Sequence, residues 1–144
     1  MPERETLQRA REDAREGKSP STQAGEFVRE EIHHVREGKH GARSPKQAVA
    51  IGLSKARRAG VKLAPPKGSS SLRRKAAQDE KAGERPHRTS GKRSRATEGA
   101  LKRESRNSAS RSALSRQAKS VAAKRGKHAP SQSAQKAART RKAA

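Results

Sequence analysis

Ser44-Pro45-Lys46-Gln47-Ala48-Val49-Ala50-Ile51-Gly52-Leu53-Ser54-Lys55-Ala56-Arg57-Arg58-Ala59-Gly60 carries the densest set of folding signals in the chain. Ser44 is placed to accept a hydrogen bond from a first-turn amide. Pro45 stands at the first helical position, where its missing N–H costs nothing. Gln47 occupies the third position and completes a capping box with Ser44. The helix so begun is expected to run through Ala59 and stop at Gly60, with Val61 placed to pack back. Val49, Gly52, Leu53 and Ala56 share one face. Gln47, Lys55 and Arg58 lie opposite, with Ile51 among them.

On the N-terminal side, Gly38-Lys39-His40-Gly41-Ala42-Arg43 reads as a linker, preceded by a helix over 23–37. Ser19-Pro20-Ser21-Thr22 breaks the chain before that helix, with Ser21 or Thr22 as its cap. Ala24, Phe27, Val28, Ile32 and Val35 fall on one side of it, and Glu26, Arg29, Glu30, His33, Arg36 and Glu37 on the other. A thinner stripe of Leu7, Ala10 and Ala14 makes residues 3–16 helix-compatible, with Gly17 as a stop. On the C-terminal side, Ala64-Pro65-Pro66-Lys67-Gly68 interrupts the pattern. Beyond it, stretches 72–81, 98–106 and 109–125 have helical spacing but few large apolar residues, so they are expected to form helix only on a polyanion.

Composition points the same way. The 144 residues include 37 Lys and Arg against 14 Asp and Glu, for a formal net charge of +23, and Phe27 is the single aromatic residue. Residues 1–63 carry a net +5 and residues 64–144 a net +18. High charge with low hydrophobicity describes a chain that buries too little to offset its conformational entropy. The expected fold class is therefore mostly disordered with a small all-α part: a helix-loop-helix hairpin at about 23–60 and a basic tail with induced helices. The expected organisation is an N-terminal arm over 1–21, a helical module over 22–63 and a disordered tail over 64–144. A hairpin this small is short of core, so Phe27, Val28, Ile32, Val35, Val49 and Leu53 are expected to drive self-association through residues 24–60.

The basic residues suit phosphate neutralisation. Each cation that pairs with a phosphate releases condensed counterion, and a flexible line of Lys and Arg serves this without reading bases. The nucleic-acid-binding candidates are Lys46, Lys55, Arg57, Arg58, Arg73, Arg74, Lys75, Lys92, Arg93, Arg95, Lys102, Arg103, Lys124, Arg125, Lys127, Arg139, Arg141 and Lys142. A solvated tail or a membrane-surface segment is the plainer alternative. A membrane segment wants aromatic or lipidated residues beside its charges, and the tail has neither.

Other motifs weigh less. A helix-turn-helix would place Lys46 and Gln47 against base edges, but its turn is shorter than this linker and a third helix is wanting. Gly38-Lys39-His40-Gly41 has the spacing of a KH-domain GXXG loop, yet that fold needs a sheet and no alternating apolar strand is found. His33, His34 and His40 are expected to be surface histidines, because neighbouring helical residues point about 100° apart; no metal is assigned. With no Cys, no activated Ser and no Gly-rich loop ending in Gly-Lys-Ser/Thr, no catalytic residue, cofactor or small-molecule substrate is expected. The longest apolar run, Ala48-Val49-Ala50-Ile51, is far short of the roughly 20 residues that span a bilayer, and the N-terminus lacks a signal's apolar core.

Residues 27–32 and 44–60 together resemble a family of small, basic, uncharacterised bacterial proteins. These share a Lys-Gln-Ala-(Ile/Val)-Ala-Ile-(Gly/Ala)-Leu-Ser-x-Ala-Arg-x-Ala-Gly signature, matched here by Lys46 to Gly60. Some are labelled plasmid-stabilisation or DNA-binding proteins. The resemblance covers about residues 24–63 and implies bacterial origin and DNA maintenance; the tail lies outside it. The function expected is non-sequence-specific DNA binding by a cytoplasmic, nucleoid- or plasmid-associated protein that is not an enzyme. The alternatives are an RNA- or ribosome-associated basic protein, or an adaptor that docks its hairpin on a protein partner.

Overall fold

Two Ser-Pro dipeptides begin the two central helices by the same device. Ser19 accepts from the Thr22 amide at 3.4 Å and Ser44 from the Gln47 amide at 3.3 Å, with proline next in each case. Gln47 answers by accepting the Arg43 amide on its side-chain oxygen at 2.6 Å, one residue before the cap. The second helix therefore starts at Pro20, earlier than the Ser21 or Thr22 cap expected from sequence. The computed structural model describes residues 1–85, 88–126 and 128–143. Its elements are α1 (Arg4–Arg15), α2 (Pro20–Glu37), α3 (Pro45–Arg58), α4 (Ser70–Glu84), α5 (Gly91–Lys102), a 3-10 turn (Asn107–Ala109), α6 (Arg111–Arg125) and α7 (His128–Ala143).

Helices α2 and α3 end alike. Gly38 and Gly60 take positive φ angles of 79° and 95°, a region open to glycine without a Cβ penalty. The amide after each glycine then reaches back five residues, Lys39 to the His34 carbonyl and Val61 to the Ala56 carbonyl, both at 3.0 Å. This closes the helix end and turns Val61 inward, where it is buried.

The chain divides into two compact units, residues 1–109 and 110–144, so the boundary expected at residue 63 falls inside the first. In that unit α2 and α3 run antiparallel: Ala48 packs with Val35, Gly52 lies on Val28, and Ala56 packs with Ala24. One apolar cluster joins Ala10 of α1 to Ala24, Phe27, Ala56 and Val61, with Leu7, Leu53 and Leu63 against it. The other joins Val35, Ala42, Ala48 and Ala109, with Ile32 against it. Helix α4 lies on α3, and the 3-10 turn lies on α2 and α3. In the second unit α6 is capped by Ser110, which accepts the Ala113 amide at 3.2 Å, and α7 packs on α6.

The expectation of a mostly disordered chain is overturned. Residues 64–144 are not a disordered tail; they form α4, α5, the 3-10 turn, α6 and α7. Two physical reasons explain the error. Composition treats every charge as solvated, whereas Glu30, Glu31 and Asp79 are buried in this fold among cations and hydroxyls from other elements. Composition also discounts Ala, yet among the described residues seven of the ten buried hydrophobic ones are Ala, and small residues let helices approach until their backbones touch. In α6 and α7 the Arg, Lys and Gln that lower hydropathy are, with Ala, among the strongest helix formers.

The self-association surface is largely spent within the chain. Phe27 and Val35 have no exposed surface, and Val28, Ile32, Val49 and Leu53 are half-buried. Helix α1 packs on the Phe27 side of the hairpin and Ala109 on the Val35 side. Among the described residues no helix is long and apolar enough to cross a membrane.

Candidate functional site

Four of the candidate cations have carboxylate partners within the chain. Lys55, half-buried on α3, places its ammonium 2.7 Å from Glu31 Oε2 and 3.3 Å from Glu30 Oε1. Arg58 lies 2.9 Å from Asp79 Oδ1, which Lys75 also contacts, and Ser54 donates to Asp79 Oδ2 at 2.7 Å. Burial pushes the Asp79 carboxyl up, but Lys75, Ser54 and Arg58 together bring it below its ordinary value. Lys102 pairs with Glu98 at 2.8 Å. Each of Lys55, Arg58, Lys75 and Lys102 therefore has a carboxylate partner within the chain, and of the four only Lys55 is withdrawn from the surface.

These pairs also position elements. The Asp79 cluster fixes α4 on α3, helped by Gly83, whose α-carbon lies so near the Arg57 and Arg58 carbonyls that a Cβ would stand 2.8 and 2.9 Å from them. Glu30 accepts the Glu3 amide at 3.2 Å and ties the start of α1 to α2. Burial raises the Glu30 carboxyl, and hydrogen bonds from the Thr6 hydroxyl and the Glu3 amide, with Lys55, outweigh it and hold it low.

Lys46, Arg73, Arg74, Lys92, Arg93, Arg95, Arg103, Lys124, Arg125, Arg139, Arg141 and Lys142 are exposed, and Arg57 is half-buried. Lys127 lies outside the described residues. Arg73 and Arg74 stand in the first turns of α4, and Lys92 and Arg93 open α5. Neither first turn carries an acidic residue, so cations sit at the positive ends of both helix dipoles, an arrangement an arriving anion would relieve. In α6, Arg111, Arg116, Lys119, Lys124 and Arg125 are spread around the helix at 100° per residue. Residues 110–144 contain ten Lys and Arg and no Asp or Glu.

The smaller motifs also find their places. Lys46 is exposed, but Gln47 is half-buried and engaged in the α3 cap. The glycines of Gly38-Lys39-His40-Gly41 do not form a free loop: the Gly41 amide donates to the Leu101 carbonyl at 2.8 Å, and a Cβ on Gly41 would collide with the Glu104 carbonyl. His33 is exposed as expected. His34 and His40 are not surface residues; both are half-buried and face Glu31. The three-residue spacing of Glu31 and His34 was a readable signal for this convergence; the approach of His40 was not, since it depends on the turn at Gly38.

No curated protein and no solved structure matches the chain. Residues 15–68, which hold α2 and α3 and stop before α4, match the Family of unknown function (DUF6496).

Proposed function

We propose that this protein binds nucleic acid through the phosphate backbone, without reading base sequence, and serves as a nucleoid- or plasmid-associated DNA-binding protein. The observation that carries the reading is the partition of charge. Thirteen of the 14 carboxylates pair with cations, and all of these lie before residue 105. The cations of residues 110–144 have no Asp or Glu in their own unit to neutralise them. A polyanion supplies that neutralisation and gains the entropy of released counterion.

The arrangement favours backbone contact over base reading. Sequence readers hold a few side chains on one face of a rigid element in a groove, whereas the cations of α6 surround the helix. Phe27, the one residue among Phe, Tyr and Trp, is buried in the core and offers bases no stacking surface. The resemblance of residues 24–63 to proteins labelled plasmid-stabilisation or DNA-binding supports DNA as the polyanion. The test is competition of two unrelated DNA duplexes, duplex RNA and single-stranded RNA for the full chain. Equal affinity for the two DNA duplexes is expected. A strong preference for one duplex sequence, or for RNA, would overturn the respective half of the proposal.

A further inference from the structure

The C-terminal half of α2 gathers donor atoms of a different kind. Glu31 and His34 are three residues apart and share a helix face. Gly38 then reverses the chain and brings His40 over that face, with its ring 6.2 Å from the His34 ring and at 82° to it. One ligand-type atom from each of Glu31, His34 and His40 lies within 4.8 Å of the other two.

The hydrogen bonds around these atoms are those of a ligand set. His40 Nδ1 lies 2.9 Å from the Gly41 carbonyl oxygen, an acceptor, so Nδ1 carries the proton. Orientation of a histidine by a backbone carbonyl on its far nitrogen is the usual outer-shell arrangement of a metal ligand. It leaves His40 Nε2 with its lone pair directed at Glu31 Oε1, 2.8 Å away. Two acceptors at that distance need a positive charge between them, either a proton or a metal ion. The Glu31 side chain is 1% exposed, and its Oε2 has no hydrogen-bond partner; Lys55 Nζ stands close but outside hydrogen-bond geometry. His34 Nε2 faces Glu3 Oε1 at 2.9 Å, adding a second carboxylate at the rim.

We propose that Glu31, His34 and His40 form a binding site for a divalent transition-metal ion of the zinc type, with Glu3 or water as a further ligand. Two imidazole nitrogens with carboxylate oxygen suit zinc rather than calcium or magnesium, which take oxygen donors. The ion replaces the proton between His40 and Glu31 and shares the Glu31 carboxylate with Lys55. Around it stand Glu3 and Glu30, with Lys39 and Lys55 as opposing cations. It fastens the end of α2 to the loop that leads into α3, and through Glu3 to the start of α1. The role is structural and independent of nucleic-acid binding.

The test uses the full chain, stripped with a chelator and titrated with zinc chloride at neutral pH by calorimetry. One zinc ion per chain is expected, with X-ray absorption showing nitrogen and oxygen neighbours that include two imidazoles. His34→Ala and His40→Ala each weaken binding by about tenfold or more, the scale of losing a ligand or its support, while His33→Ala leaves it unchanged. Glu31→Gln touches a buried ion pair and can unfold the chain, so the histidine variants, checked for retained helicity by circular dichroism, carry the decision. Failure to take up zinc overturns the proposal. So does binding that is unaffected by His34→Ala and His40→Ala, or lost equally with His33→Ala.

Discussion

Gly52 on α3 lies directly against the backbone of Val28 on α2: a Cβ placed on Gly52 would stand 2.7 Å from the Val28 α-carbon and 2.9 Å from its nitrogen. The Val28 Cγ2 would also stand at 2.9 Å, but rotating that side chain cannot relieve the contact, because the α-carbon and nitrogen are main chain. The two central helices are therefore as close as their backbones allow at this point, and the half-buried Val28 side chain packs beside the gap left by the missing Cβ.

Gly52→Ala is expected to destabilise the protein by about 1–3 kcal/mol or more, the cost of overpacking a tight contact. Gly25→Ala is its counterpart. Gly25 is exposed inside α2 with open space around it, so alanine there stabilises by roughly 0.5–1 kcal/mol through backbone entropy. Denaturant unfolding of the two variants should give shifts of opposite sign.

Phe27→Ala should cost about 3–5 kcal/mol, as for other buried aromatic truncations. The cavity opens among Ala10, Ala24, Ala56 and Val61 of the same chain. The loss is therefore expected to be the same over a hundredfold range of protein concentration, which equilibrium unfolding monitored by circular dichroism can check. A loss that grows on dilution would instead place Phe27 at an interface between copies.

Asp79 links α4 to α3 and sets an acid limit on that docking. Its carboxyl is held below the usual value by Lys75, Ser54 and Arg58 against the opposing effect of burial. A depressed folded-state value means that the stabilisation is complete above the unfolded value of about 3.9 and is lost as pH falls through the folded one. Glu30 acts in the same direction at the junction of α1 and α2. Unfolding free energy should therefore decline from about pH 5 downward. Asp79→Asn should lower stability at neutral pH by about 1.5–3 kcal/mol, the range for hydrogen bonds to charged groups, and flatten part of that decline. Hydrogen exchange should show the loss concentrated in α4.

Salt should report how many phosphates the second unit engages. For duplex DNA the logarithm of affinity falls with the logarithm of salt concentration by about 0.9 per phosphate neutralised. Replacing Arg111, Arg116, Lys119, Lys124 and Arg125 by Gln should shallow that slope by several units, whereas Lys46→Ala should change it by one at most. Arg58→Gln removes a cation already committed to Asp79, so it should alter stability more than the slope. A Lys46 variant that abolished discrimination between two duplexes would identify α3 as a base-reading helix.

Helix ends were the most legible part of the fold. Ser44, Pro45, Gln47 and Gly60 mark their positions because capping depends on atoms within a few residues of one another. Ser19 carried the same signal, and its displacement to Ser21 or Thr22 came from treating Pro20 as a break rather than as a first helical residue. The stretches at 72–81 and 109–125 correspond to α4 and α6, whereas 98–106 overlaps only the last five residues of α5; composition assigned all three the wrong stability and gave no sign of α7. Of the site residues, the exposed cations of residues 110–144 were visible from the absence of any carboxylate there. Lys55, Arg58 and Lys75 looked identical to them in sequence.

What the sequence determined by itself was local: where helices α1 and α3 begin and end and where α2 ends, which of their faces are apolar, and where positive charge accumulates. Each depends on neighbours along the chain, through capping hydrogen bonds, helical periodicity or simple counting. Tertiary structure alone decided which charges are spent and which apolar faces are covered. Ser54 meets Asp79 across 25 residues, and the Arg36 guanidinium reaches the Ala109 carbonyl across 73. Nothing in local spacing encodes such partners, because they exist only once small residues such as Gly52 and Ala56 have let the helices close. The same closure buries Glu31 and brings His40 beside it, so a carboxylate and two histidines that read as ordinary surface residues become one cluster.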